Sequence, residues 1–226
     1  MKENEVILKR QSTRIFFKNG DTDFFFNWLL GIGEVFGFSH GELYYLAQEL
    51  GKSPKPDNWK SVFLSHGNYL EQKVSHSGLS EQTKAQYYLA QTYSLRSAIQ
   101  FINPFSDKYL STVHQMERAF SDAIHSLGAP VEKLTITYQD SYLPGYYLHS
   151  GNNCPTLIMV GGGDTYREDL FYFAGYPGWM RSYNVLMVDL PGQGSNPSRG
   201  LIFGVDASIP ISLCIDWLEN RNPKLN

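Results

Sequence analysis

Two glycine-rich turns carry most of the chemistry this sequence can offer. Gly161-Gly162-Gly163-Asp164 follows the apolar run Thr156-Leu157-Ile158-Met159-Val160, and Asp189-Leu190-Pro191-Gly192-Gln193-Gly194-Ser195 follows Val185-Leu186-Met187-Val188. Each is a buried strand running into a turn, the pattern that puts ligand chemistry at the C-terminal ends of strands in an α/β sheet. Glycine leaves the main chain unshielded, so the N–H groups of Gly163 and Asp164 can face an anion or a developing oxyanion. Gly161 and Gly162 support that loop, while Asp189 and Gln193 shape the second turn. A purely structural turn, with Asp164 capping the next helix, would use the same residues. The spacing fits neither G-x-G-x-x-G nor a Walker A loop.

A second motif invites a nucleophile. Gly37-Phe38-Ser39-His40-Gly41 matches G-x-S-x-G letter for letter. That elbow needs a buried strand before it, because a strained strand-to-helix turn is what exposes the serine. The residues ahead of Gly37 have helical spacing, and the motif precedes every candidate strand. Ser39 is therefore read as a helix N-cap, with Glu42 completing a capping box. The six histidines all precede the triple glycine, and no set of His, Cys or carboxylates has metal-ligand spacing. No metal and no cofactor is implied. The two cysteines, Cys154 and Cys214, are too few for a disulfide framework and are read as free thiols.

The elements that must position these turns fall into two textures. Phe25, Trp28, Leu29, Ile32, Val35 and Phe36 repeat at helical spacing, and further helices run from Ser39 to Gly51, from Trp59 to about Val74, from Ser80 to Phe101, and from Leu110 to Leu127. After Pro130 the chain turns β-branched. Leu134 to Tyr138 and Tyr142 to His149 predict a hairpin turning at Asp140-Ser141, followed by strands 156–160 and 184–188. Helices around Leu170–Ala174 and Ile209–Leu218 imply parallel pairing by right-handed crossovers. The domain boundary is placed at 128/129: an all-helical region 1–128 and a sheet region 129–226. The strand 184–188 is expected to form an unpaired apolar edge that favours association.

Leu143-Pro144-Gly145-Tyr146, Gly161-Gly162-Gly163-Asp164 with Arg167-Glu168 beyond it, and Asp189-Leu190-Pro191-Gly192-Gln193-Gly194 occur in this order. Together they resemble the α/β-hydrolases with a helical N-terminal lid domain, the group of 2,6-dihydropseudooxynicotine hydrolase, fungal polyketide-shortening hydrolases and FrsA-type bacterial esterases. The resemblance implies an α/β fold, the first half of an α/β-hydrolase sheet preceded by a helical lid. It implies that the residue after the paired glycines, here Gly163, gives an N–H to an oxyanion hole. The family often has a larger apolar residue there; glycine keeps the donor and loosens its placement. The family's serine, acid and histidine come later in the order Ser…Asp/Glu…His, so they are expected beyond Asn226. The implied activity is serine-based hydrolysis of an ester, or of a ketone C–C bond, in a small acyl substrate. A non-catalytic helical binding or scaffold protein, and an inactive gene fragment, are the alternatives.

Composition bounds the partners. A net charge of −3 over 226 residues gives no basic patch for nucleic acid or an anionic membrane. The N-terminus has no apolar signal segment, and the longest apolar stretch, Phe24 to Phe38, is broken by Asn27 and Glu34, short of the roughly 20 residues that cross a bilayer. The expectation is a cytoplasmic protein whose partners are a small-molecule substrate and a complementing C-terminal half, or further copies of itself.

Overall fold

A computed structural model describes residues 14–33 and 38–222. The chain divides into two compact units, 1–102 and 103–226.

The first unit is helical: α1 (Gly20–Gly33), α2 (His40–Leu50), α3 (Pro56–Val74) and α4 (Glu81–Ile99). Val35, Phe36 and Gly37 of the sequence reading lie outside the described residues. Ser39 caps α2 by accepting the Glu42 N–H, and Gly51 ends it at φ 70°. The expected capping box is only half built, because Glu42 turns its carboxylate to His66 instead. Trp59 sits at the centre, its Nε1–H donating to Ser97 O at 3.0 Å. Phe17, Phe25, Phe63 and Phe101 surround its ring at centroid distances of 4.9 to 5.8 Å. The segment before α1 is tied down by Asp23, which accepts the N–H groups of Ile15, Phe16 and Phe17.

The second unit opens with α5 (Asp107–Leu127), capped by Ser106 and closed by left-handed Gly128. There follow β1 (Val131–Tyr138), β2 (Ser141–Leu148), β3 (Thr156–Val160), α6 (Arg167–Leu170), a π-helical turn (Phe171–Gly175), α7 (Tyr176–Trp179), β4 (Asn184–Val188), a 3₁₀ turn (Asn196–Arg199) and α8 (Ser208–Arg221). The change of texture at residue 128 marks the start of the sheet; the compact units divide earlier, because α5 packs on that sheet through Phe120 against Tyr146 and Phe171. The hairpin turns at Gln139-Asp140, one residue before the expected place, with Gln139 at φ 52°.

The strand order is β1-β2-β4-β3, with β3 and β4 parallel and the other pairs antiparallel. Strand β4 therefore lies between two neighbours and is wholly buried. The expected apolar edge at 184–188 is corrected: the outer strands are β1 and β3, and the apolar edge is β3, whose Leu157 is 37% exposed. Local sequence shows that both strands are apolar, but the order across the sheet is set by the crossover. Alternation along the strands sends Tyr146 and Met187 toward α5 and the π-helical turn, and Tyr147, Leu186 and Val188 toward α8.

Candidate functional site at the two glycine turns

Strand β3 ends at Val160 and its turn begins at Gly161, where a Cβ would fall 2.5 Å from that of Thr165. The Gly162 N–H is held by Thr165 Oγ1 at 3.2 Å, and its carbonyl accepts the Thr165 N–H at 3.2 Å. The N–H of Gly163 has no acceptor among the described residues, and Gly163 and Asp164 are exposed at the tip. Asp164 does not cap the helix: α6 starts at Arg167, and Asp169 reaches back to the Tyr166 N–H at 2.9 Å.

The turn after β4 grips the first one. Gln193, only 3% exposed, accepts the Leu190 N–H at 2.8 Å and donates to the carbonyls of Gly161 at 2.6 Å and Gly162 at 3.0 Å. Asp189 accepts the Arg167 backbone N–H at 2.7 Å and its Nη1 at 2.8 Å. Asn196, beyond the turn, bonds the carbonyls of Asp189 and Leu190. All six residues singled out in sequence thus lie on the two adjoining turns: Gln193 crosses from one to the other, and Asp189 reaches the start of α6 just beyond the first. Phe203 lies over both: a Cβ on Gly192 would fall 2.5 Å from its ring, and one on Gly163 would meet its Cζ at 3.8 Å. A cleft of about 410 Å³ opens here, lined by Tyr138, Gly161, Leu190, Gln193, Leu201 and Phe203. That volume suits a small organic ligand.

Behind the loops lies a buried ionic cluster. Arg167 bonds Glu117 of α5 at 2.5 Å and Asp189 at 2.8 Å, and lies 3.4 Å from Glu168. Tyr146 donates its phenol to Glu168 at 2.7 Å. Burial raises the Glu168 carboxyl to about 7 against the pull of Arg167, with Asp189 and Glu117 adding to the rise. Burial likewise raises Asp189 to about 6, opposed by its bonds to Arg167. Burial disfavours the Arg167 cation, but Glu168, Tyr146, Asp189 and Glu117 together hold its pKa well above the usual arginine value. One buried cation is shared among three carboxylates, and Glu168 Oε2 has no hydrogen-bond partner among the described residues. Sequence reasoning gave Arg167-Glu168 as part of a motif; Glu117, fifty residues earlier, carried no local signal.

Elsewhere, Ser94 Oγ lies 2.6 Å from His66 Nδ1, and His66 Nε2 lies 3.2 Å from Glu42 Oε1. This Ser–His–Glu relay was missed in sequence because its members sit on three helices. Ser94 is 0% exposed in the middle of α4 and faces α3 where Gly67 lets the helices close. A substrate cannot reach it, so the relay ties α2, α3 and α4 together. Cys154 is partly exposed and Cys214 is buried, its thiol pushed up to about 11 by that burial. Among the described residues no cluster of three or more His, Cys, Asp or Glu is arranged for a metal ion, and no helix is long and apolar enough to cross a membrane.

No protein-family model matches the chain. Among curated proteins it is 28% identical over 197 residues to alpha/beta hydrolase ucsC of Acremonium sp., a match covering 76% of this chain and 40% of that protein. It is 26% identical to hydrolyase ccsE of Aspergillus clavatus, covering 77% of this chain and 45% of that one. Among solved structures it superposes on AbyA5 with a TM-score of 0.63 at 15% identity, covering 87% of this chain and 51% of that one. For 2,6-dihydroxy-pseudo-oxynicotine hydrolase the TM-score is 0.61 at 19% identity, covering 83% and 52%. The resemblance carried by the glycine turns thus holds in sequence and in fold: this chain has a helical region followed by an α/β-hydrolase-type sheet, and spans about half the length of the relatives it matches.

Proposed function

We propose that these residues form the oxyanion-loop portion of a serine α/β-hydrolase that cleaves an ester, or a ketone C–C bond, of a small acyl substrate. The observation that carries this reading is the Gly163 N–H, which faces no acceptor among the described residues while Gly162 beside it is bonded to Thr165 through both its N–H and its carbonyl. A donor presented this way stabilises the oxyanion of a tetrahedral intermediate without reorganising. In this reading Gly163 and Asp164 supply the donors, and the nucleophile, acid and histidine come from sequence beyond residue 226. The serine oxygen adds to the carbonyl carbon, the oxyanion collapses to expel the leaving group with the histidine's proton, and water releases the acyl group by the same route.

The partner is a nucleophile-bearing portion that adds a parallel strand at β3. Helix α8 supports this, since Asn222 donates to Asn152 O at 3.0 Å and so brings the chain back beside the start of β3. In this reading the helical region 1–128 is the substrate-selecting lid domain. Self-association through β3 is the competing use of the same edge. We place the protein in the cytoplasm.

The test is hydrolysis of p-nitrophenyl esters. The 226-residue chain alone stays at background, and adding the portion with the serine elbow gives turnover. Gly163→Pro then removes a donor and lowers kcat about a hundredfold. Full activity in Gly163→Pro would remove this loop from the mechanism.

A further inference from the structure

We infer that the Gln193 side chain is the positioning group that aims the Gly163 N–H, so that the turn after β4 sets the direction of the donor carried after β3. This rests on reading the β3 loop as an oxyanion hole. The side-chain amide is used completely. Leu190 N–H must donate, so it meets Oε1; the carbonyls of Gly161 and Gly162 must accept, so each takes one hydrogen of Nε2. Only a carboxamide satisfies one donor and two acceptors together; a carboxylate of the same shape would face two carbonyl oxygens with negative charge.

The consequence for Gly163 follows from peptide geometry. The Gly162 carbonyl and the Gly163 N–H belong to one planar unit, and the described chain has no cis peptide bond. In a trans peptide the two groups point in opposite directions. Drawing the Gly162 oxygen toward Gln193 therefore turns the Gly163 N–H away from the β4 turn. Thr165 pulls on the same carbonyl at 3.2 Å, from within the loop. Three successive glycines have more backbone freedom than any other tripeptide, so an unclamped loop would present its N–H in many directions. The clamp is itself fixed: the Gln193 N–H donates to Leu190 O at 3.0 Å, and Asn196 N–H donates to Gln193 O at 3.0 Å.

The test is solution NMR of the labelled 226-residue chain. Scalar couplings across hydrogen bonds are expected from Gln193 Nε2 to the carbonyl carbons of Gly161 and Gly162. Gln193→Glu and Gln193→Met are expected to shift those two carbonyl resonances and the Gly163 amide, leaving Gly51 in the helical unit unmoved. Absence of both couplings in the unsubstituted chain overturns the inference even if neither variant folds. A Gly163 amide that stays in place in folded variants also overturns it. In the completed hydrolase Gln193→Glu is expected to lower kcat about tenfold or more at unchanged KM. Couplings present alongside full activity of Gly163→Pro would leave the clamp standing and reject the oxyanion reading alone.

Discussion

Arg167 grips Asp189 twice, through its backbone N–H at 2.7 Å and through Nη1 at 2.8 Å, so one carboxylate fixes both the start of α6 and its first side chain. Replacing the cation would leave Asp189 and Glu168 buried together without it, beside the half-buried Glu117. Arg167→Leu is expected to cost about 3–5 kcal/mol in urea unfolding. Asp189→Asn should cost clearly less, because it keeps an acceptor for the backbone and relieves two neighbouring carboxylates. Equal losses would show that the cluster is not short of positive charge.

The same cluster makes stability depend on pH. Glu168 is raised to about 7 and Asp189 to about 6, mainly by burial. A raised carboxyl pKa means that folding takes up protons, so the contribution is full below the unfolded values near 4 and is lost as pH rises through 6 to 7. The melting temperature is expected to be higher at pH 5.5 than at pH 8. Glu168→Gln should flatten this profile, which a thermal series across that range would show.

Gly194 is needed for the approach of Asp189. Its φ is 53°, and a Cβ there would lie 2.1 Å from Asp189 Oδ2. Gly200 has a similar φ of 79° with open space around it. Gly200→Ala should cost about 1 kcal/mol from backbone strain alone. Gly194→Ala should cost several times as much, because the Asp189–Arg167 pair must also move. Denaturation of the two variants side by side separates strain from collision.

Strand β3 is an apolar edge without a charged side chain, a template for another strand. Leu157→Lys is expected to reduce concentration-dependent association while leaving the melting temperature nearly unchanged. Light scattering over a dilution series checks it; identical association in both proteins would place the contact elsewhere.

Ser39→Ala should cost about 1 kcal/mol of stability through its lost cap. Turnover of the completed enzyme should not change, since the G-x-S-x-G letters here serve a helix end.

Helices, strands and turns were legible where the signal is local. Strands 156–160 and 184–188 match residue for residue, because a short apolar run bounded by Pro155 and Gly161, or by Asn184 and Asp189, has few alternatives. The Ser80 cap and the Gly51 and Gly128 stops also follow from single residues, whereas the helix expected from Leu110 starts at Asp107 behind a Ser106 cap that was not foreseen. What sequence could not show is which distant groups meet. Glu42 reads as a capping-box partner until His66 of another helix competes for it. The edge was assigned to the wrong strand because pairing order depends on the path of the crossover. The residues of both glycine turns were found, while the bonds that join them were not.

The strand order has a consequence for how the protein is made. Strand β4 is inserted between β2 and β3, both of which leave the ribosome before it. The hairpin β1–β2 can close at once from adjacent residues, but β3 has no partner until Asn184–Val188 emerges. During that interval the triple-glycine turn hangs on an unanchored strand. The loop read here as the reactive one therefore takes its shape only after Gln193 has been synthesised, and truncation before that residue would leave it without form.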